Sequence, residues 1–226
     1  MTAPALPLQT LTYGPDTADW CLVALHGWGA NAADLVGLAP YLRLSHMAMV
    51  FPDAPWPHPQ APGGRMWYGF PAGYDFRRPH DFAAQADLQT SQAQLKTCIL
   101  ELANTTGIPL ERTILAGFSQ GGAMALDVGA QLPLAGQIIL SGYLHRAALA
   151  PVSPRPVLMV HGSGDPVVPV ALAHQAKAAL TSLGQPVTWH ELAMGHEISP
   201  QALGLISGFC EDLRQASQNP LGNPLG

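Results

Sequence analysis

The amino-acid sequence predicts an α/β fold built on a mostly parallel central sheet with helices on both faces. Short apolar runs alternate along the chain with segments of helical periodicity, the pattern expected of parallel strands joined by crossover helices. One run, residues 47–51, is apolar at every position, as in a strand buried on both faces. At 226 residues, 48% of them hydrophobic, the chain fits a single domain with a large core.

The first elements follow a strand, loop, helix, strand order. Residues 20–25 are an apolar run that ends in a glycine-containing loop at residues 26–31, and a helical pattern follows over residues 32–42. Residues 47–51 then predict the next strand, which a proline-containing turn closes. The chain therefore begins as an α/β unit with a glycine loop behind its first predicted strand.

A long segment without regular structure is predicted next. Residues 56–79 are rich in proline, glycine and aromatic side chains, and no strand or helix pattern fits them. Loops of this length in a compact domain are usually functional or disordered, and the aromatic content favours function. We expect a loop over the functional site, followed by a helix at residues 80–105 that ends at Gly107.

The second half continues the alternation to the C-terminal end. Predicted strands lie at residues 113–118, 137–140, 157–160 and 187–192, and predicted helices at residues 119–131, 170–183 and up to about 214. We expect residues 1–215 to form one domain without a separate cap. Residues 216–226, which include a repeated Asn-Pro-Leu-Gly, predict a mobile tail.

The low charge content of the chain argues against nucleic acids and membranes as binding partners. Only 11% of residues are charged, with 10 basic against 15 acidic, so we expect no nucleic-acid binding and no membrane insertion. No apolar run reaches the roughly 18 residues of a membrane helix. Three scattered cysteines indicate neither a disulfide framework nor a metal site, and residues 1–7 lack the features of a secretory signal. These features favour a cytoplasmic protein.

A Gly-x-Ser-x-Gly motif centred on Ser119 joins a predicted strand directly to a predicted helix. Such a sharp turn would crowd side chains at Gly117 and Gly121, and it presents the serine hydroxyl at the edge of the sheet. The amide of Gln120, at the start of the helix, can stabilise negative charge on an attacked carbonyl oxygen. The motif is short and arises by chance in many chains, so its context decides.

Three further loops leave the carboxyl ends of predicted strands, where ligands bind in open parallel sheets. One is the glycine loop after the first strand, and the others hold Asp165 and His196. The chain order of serine, aspartate and histidine is that of the α/β-hydrolase fold. The sequence therefore predicts a nucleophile, a base and an orienting carboxylate at one edge of the sheet.

Each of these residues also has a structural interpretation. Asp165 could cap a helix or shape a Gly-Asp-Pro turn, and His196 could be a turn histidine. Their order relative to Ser119 favours the catalytic interpretation. We expect His26 and His161 to be structural, and His190, inside a predicted strand, to have no catalytic role.

The sequence resembles the phospholipase/carboxylesterase family of α/β-hydrolases, which includes the acyl-protein thioesterases. The resemblance spans residues 12–214, and its motifs are specific in combination. They are residues 25–29 (LHGWG) with Asn31, residues 117–122 (GFSQGG), residues 161–169 (HGSGDPVVP) and residues 195–197 (GHE).

The resemblance implies hydrolysis of carboxylic esters or thioesters, without a metal or organic cofactor, and often as a homodimer. It implies that Ser119 is the nucleophile, His196 the base and Asp165 the residue that orients the histidine. It also implies that the amides of Trp28 and Gln120 form the oxyanion hole. The mechanism is that of a serine triad acting through an acyl-enzyme.

The expected substrates are esters or thioesters with small or medium acyl chains, and Trp67, Tyr68 and Val167 are candidate substrate contacts. In many relatives an aspartate follows the Trp-Tyr pair, whereas this chain has Gly69, so the pocket is less defined than the triad. A lysophospholipase and a protein deacylase are alternatives. A hydrolase-fold binding protein without activity is an alternative of another class.

Overall fold

A seven-stranded sheet forms the centre of the protein in the computed structural model, which describes residues 8–77, 82 and 84–218. The strands, in chain order, are β1 (Thr10–Tyr13), β2 (Trp20–Leu25), β3 (Met47–Pro52), β4 (Trp56–Pro57), β5 (Arg65–Met66), β6 (Thr113–Phe118), β7 (Gly136–Leu140), β8 (Val157–Gly162) and β9 (Val187–Leu192). The sheet has the order β1-β3-β2-β6-β7-β8-β9. All its pairs are parallel except that of β1 with β3.

Helices cover both faces of this sheet. They are α1 (Ala32–Val36), α2 (Ala39–Leu42), α3 (Ala86–Thr106), α4 (Gln120–Gly129), α5 (Val170–Ser182) and α6 (Pro200–Gln218), with a 3-10 turn at Leu110–Arg112. Helices α3, α4 and α5 contribute to one buried apolar cluster, and α1, α2 and α6 contribute to the other. The predicted α/β fold, mostly parallel and covered on both faces, is thereby confirmed.

Strand β2 shows why the apolar runs are continuous. Cys21 and Val23 point into the cluster on one face, while Trp20 and Leu22 point into the cluster on the other. Because both faces are covered by helices, every position of the strand must be apolar.

Several boundaries differ from the sequence prediction. The helix predicted at residues 32–42 is two short helices, because the chain turns at Gly37 after α1. The strand β1 was missed, since its four residues are all exposed and carry no buried pattern. The segment 56–79 is not wholly irregular, because β4 and β5 pair as an antiparallel ribbon within it.

The long helix α3 begins at Ala86, later than predicted. Residues 80, 81 and 83 of the expected helix start, and residues 78 and 79 of the predicted loop, lie outside the described residues. Helix α6 continues to Gln218, so the first residues of the predicted tail are helical. The rest of that tail, residues 219–226, lies outside the described residues. Within the part of the chain that the structure describes, no helix is both long and apolar enough to cross a membrane.

Candidate active site

Ser119 occupies a strained turn between strand β6 and helix α4. Its backbone has φ 54° and ψ −116°, a conformation that L-residues rarely adopt. A Cβ atom at Gly117 would overlap the carbonyl of Gly121, and one at Gly121 would overlap the carbonyls of Leu25 and His26. The turn can therefore form only with glycine at both positions, as the motif predicted.

His196 links Ser119 to Asp165 in one hydrogen-bonded chain. Its Nε2 atom lies 2.9 Å from Oγ of Ser119, and its Nδ1 atom lies 2.7 Å from Oδ2 of Asp165. The three residues follow β6, β8 and β9, whose parallel carboxyl ends meet at the same edge of the sheet. The structure thus brings together the three residues that the sequence singled out.

The second oxygen of Asp165 holds its own loop. Oδ1 accepts the amides of Val167 and Val168, each at 2.9 Å. The side chain is completely buried, whereas that of His196 keeps 15% exposure. Both interpretations of Asp165 therefore apply, because one oxygen shapes the turn and the other faces His196.

This arrangement can carry out nucleophilic chemistry. An imidazole within hydrogen-bond distance of a serine hydroxyl can accept its proton as the oxygen attacks a carbonyl carbon. A buried carboxylate on the other ring nitrogen fixes the tautomer and stabilises the imidazolium that forms. The ring of Phe118 packs on that of His196, with centroids 4.8 Å apart, and limits its rotation.

The two candidate oxyanion donors lie at the ends of neighbouring strands. Trp28 is in the loop that follows β2, and Gln120 is the first residue of α4, which follows β6. The N–H of a first helical residue has no acceptor within its own helix. Both segments lie at the edge of the sheet that carries Ser119.

An open cleft of about 900 Å³ borders Ser119 and His196. Among its lining residues, Val167 is 49% exposed and Trp28 is 43% exposed. Aromatic residues of the loop after β5 also line the cleft, namely Phe70, Tyr74 and Phe76. Phe70 and Tyr74 stack with ring centroids 4.9 Å apart. The cleft combines a nucleophile with apolar walls.

Trp67 and Tyr68 lie behind this wall, which disagrees with the predicted substrate contact. Both are fully buried. The Trp67 indole donates to the carbonyl of His26 at 3.0 Å, and the Tyr68 ring packs behind Phe70 with centroids 5.6 Å apart. The sequence cannot distinguish an aromatic pair that lines a pocket from one that is buried beneath the pocket wall, because both are aromatic residues in a loop. Val167 lines the cleft as expected.

The other histidines near the site have structural partners. Nε2 of His26 accepts the amide of Ala54 at 3.0 Å, and burial lowers the pKa of this imidazole. Nε2 of His161 lies 2.8 Å from the carbonyl oxygen of Val168, and burial lowers its pKa too. His190 lies within β9. Across the described residues, no group of three or more histidine, cysteine or acidic side chains could hold a metal ion.

Sequence reasoning missed a buried polar network under the cleft. His145 contacts Asp127 at 2.9 Å through Nδ1 and the Tyr68 hydroxyl at 2.7 Å through Nε2, and Tyr68 is 2.5 Å from the hydroxyl of Tyr143. Burial raises the pKa of both tyrosines. The network joins three distant parts of the chain, namely Tyr68, Asp127 and the pair of Tyr143 and His145, so no local spacing could have indicated it.

Comparison with known proteins agrees with the fold and the site. The family model described as Phospholipase/Carboxylesterase matches residues 12–213. Acyl-protein thioesterase 1 of Neurospora crassa is 33% identical over 206 residues, covering 81% of this chain and 80% of that protein. Acyl-protein thioesterase 1 of Saccharomyces cerevisiae is 32% identical over 176 residues, covering 69% of this chain and 74% of that protein.

A solved structure extends the likeness to three dimensions. The crystal structure of esterase PE8 has a TM-score of 0.81 and 30% sequence identity, and the match covers 92% of this chain and all of that one. Both the family model and the esterase PE8 structure therefore match nearly the whole described chain. As its motifs predicted, this chain belongs to the phospholipase/carboxylesterase family of α/β-hydrolases.

Proposed function

We propose that this protein is a serine hydrolase that cleaves carboxylic esters or thioesters through an acyl-enzyme on Ser119. The observation that carries the proposal is the hydrogen-bonded chain from Asp165 through His196 to Ser119, with contacts of 2.7 and 2.9 Å. Membership of a family of carboxylesterases and thioesterases supports the same class of reaction.

The roles of the residues follow from their chemistry. Ser119 attacks the acyl carbon while His196 takes the hydroxyl proton, and Asp165 orients the imidazole and stabilises its charged form. The proton then passes from His196 to the leaving alcohol or thiol. Water, activated by the same histidine, releases the acid and restores the serine. The amides of Trp28 and Gln120 are the proposed donors to the oxyanion in both halves of the reaction.

The walls of the cleft support an apolar acyl group or leaving group of small or medium size. Val167 and the stacked pair of Phe70 and Tyr74 present apolar surface beside the nucleophile. A lysophospholipid or an acylated protein also presents an acyl ester or thioester to such a cleft. Initial rates on p-nitrophenyl esters of increasing chain length, beside an acyl thioester and a lysophospholipid, rank these substrates.

The Ser119→Ala variant tests the proposed nucleophile. Loss of the nucleophile from a triad that works as a unit lowers turnover by about a million-fold. We expect the wild-type protein to be labelled stoichiometrically by a fluorophosphonate and the variant to be folded, inactive and unlabelled. A folded variant that keeps more than a tenth of the wild-type rate removes Ser119 from this role. If the wild-type protein binds acyl compounds but hydrolyses none of them, it is instead a hydrolase-fold binding protein without catalytic activity.

The assembly and the location of the protein are also proposals. Two copies are expected to associate, on the strength of the family resemblance, and light scattering should give a mass of two chains. A cytoplasmic location is supported by Cys21, Cys98 and Cys210, which are free and buried. Burial raises the pKa of the Cys98 thiol to about 11 and that of Cys21 to about 12, so neither is a reactive thiolate.

A further inference from the structure

The segment Trp67–Gly69 is held by side chains at almost every backbone polar group. Ser91 donates to the carbonyl of Trp67 at 2.5 Å. The amide of Gly69 donates to Asp87 at 2.7 Å, and its carbonyl accepts from Gln85 at 3.1 Å. A loop segment fixed in this way behaves as a rigid part of the fold.

The Gln120 side chain ties this segment to the first turn of α4. Its Oε1 accepts the amide of Trp67 and its Nε2 donates to the carbonyl of Tyr68, each at 2.8 Å. Gln120 is completely buried. The residue whose amide is a proposed oxyanion donor therefore has its side chain bonded twice to the Trp67–Gly69 segment.

The same segment is tied to the loop that carries the other proposed donor. The Trp67 indole donates to the carbonyl of His26, two residues before Trp28. Two residues before Trp67, in β5, the carbonyl of Arg65 accepts the amide of Gly29 at 2.9 Å, and the amide of Arg65 donates to the carbonyl of Ala30 at 2.8 Å. The loop after β2 is thus held on both sides of Trp28, by Trp67 before it and by Arg65 of β5 after it.

We propose that Trp67 and the side chain of Gln120 are positioning residues that set the spacing between the two oxyanion amides, those of Trp28 and Gln120. The assignment rests on one observation: the Trp67–Gly69 segment bonds both to the loop that carries Trp28 and to Gln120 at the start of α4. It rests on the proposed function, and it gives Trp67 a role independent of acyl length. Amides held by rigid partners stabilise the oxyanion without reorganising during the reaction.

The Trp67→Phe variant tests the proposal, because it keeps an aromatic ring and removes the N–H that bonds to His26 together with part of the indole volume. Loss of a whole oxyanion donor lowers kcat by about a hundred- to a thousand-fold. For displacement of a donor we expect a smaller loss in kcat/KM, about tenfold, equal for acetate and medium-chain esters. Substitution of 3-benzothienylalanine at position 67 keeps the full shape without the N–H and should give the same factor. All rates are divided by the sites titrated with a fluorophosphonate.

Binding of two inhibitors separates positioning from packing. An alkyl trifluoromethyl ketone adds to the serine and places its oxyanion in the hole, whereas an ether of equal chain length only fills the cleft. We expect the ketone to lose affinity by the same factor as kcat/KM and the ether to bind as in the wild type. The Trp189→Phe variant, on the edge strand β9, is the control and should retain wild-type kcat/KM.

Three outcomes would overturn the proposal while leaving the serine-hydrolase function intact. They are rates and ketone affinity within twofold of wild type, a loss confined to the longer esters, and an equal loss of ketone and ether affinity. Failure of the proposed function looks different, because the wild-type protein itself would then hydrolyse neither esters nor thioesters.

Discussion

Nδ1 of His196 lies 2.7 Å from Oδ2 of Asp165, a carboxylate whose side chain is completely buried. The same carboxylate shapes its own loop through Oδ1, which accepts the amides of Val167 and Val168. The two oxygens therefore have separate tasks, which a single substitution can separate. A change that affects only Oδ2 should alter the histidine and leave the loop in place.

The Asp165→Asn substitution is that change. The asparagine oxygen can keep the two loop amides, which places its NH₂ group opposite Nδ1 of His196 and favours the wrong imidazole tautomer. We expect kcat to fall by about ten-thousand-fold, as for the equivalent change in a serine triad. Steady-state kinetics measure the loss, and an unchanged thermal unfolding midpoint shows that the loop persists. A folded variant within tenfold of the wild-type rate would remove Asp165 from the chain.

Val167 is the side chain on the cleft wall that is easiest to shorten. It is 49% exposed and lies in the Asp165 loop. Because each buried methylene-sized group contributes about 0.8 kcal/mol, Val167→Ala should lower kcat/KM for medium-chain esters by about fourfold per lost contact and leave acetate esters unchanged. The control is Val152→Ala, which shortens an exposed valine outside the cleft lining. Equal factors for both ester lengths would show that Val167 does not contact the acyl chain.

The burial of His26 should make the free energy of unfolding depend on pH. Its ring is buried and bonded at both nitrogens, and burial lowers the pKa of the imidazole from the ordinary 6.5. The unfolded chain therefore binds a proton more readily, so the free energy of unfolding falls as the pH drops below about 6.5 towards the lowered value. One such group contributes a slope of at most about 1.4 kcal/mol per pH unit.

Urea unfolding of wild type and His26→Asn at several pH values measures this contribution. The variant should show a shallower decline below pH 6.5, and the difference between the two proteins should be constant above about pH 7.5, where the imidazole is neutral in both states. His161 contributes with the same sign, so the decline should diminish without vanishing. Parallel curves for the two proteins over the whole range would contradict the assignment.

The proposed mechanism uses protein groups and water alone, so removal of metal ions should not affect it. Within the described part of the chain, no cluster of histidine, cysteine and acidic residues could hold an ion. We expect the rate of ester hydrolysis to be unchanged after dialysis against EDTA. Loss of activity that a divalent ion restores would require a different mechanism.

The positions of Ser119, Asp165 and His196 could be predicted because each lies just after a strand that the sequence makes evident. Parallel strands bring their carboxyl ends to one edge, so chain order alone places these residues together. The role of Trp67 could not be predicted in this way. Its partner His26 is distant in the chain, and burial, which separates a wall residue from a supporting one, depends on how the loop folds back.

The strand β1 and the ribbon of β4 and β5 were missed for a related reason. Strand β1 has no buried face, so hydrophobic periodicity carries no signal for it. The ribbon strands have two residues each, which is too short for an alternating pattern to be recognised. Both form because another strand lies beside them, and such pairing is not a property of their own residues.

Gly121 provides the sharpest test of the turn that holds Ser119. A Cβ atom there would overlap the carbonyl oxygens of Leu25 and His26, which belong to rigid backbone. In Gly121→Ala the start of α4 must move away from β2, which also separates Ser119 from the loop of Trp28. Overpacking of this kind costs about 1–3 kcal/mol, and we expect the unfolding free energy to fall by that amount.

The matched control is Gly208→Ala, an exposed position within α6 where nothing lies within 4 Å of the added Cβ. Alanine is the better helix former, so this change should raise the unfolding free energy by about 1 kcal/mol and leave the rate of hydrolysis unchanged. The two glycines thus predict effects of opposite sign from the same substitution. If Gly121→Ala were as stable and as active as the wild type, close contact between β2 and α4 would not be what requires glycine in the motif around Ser119.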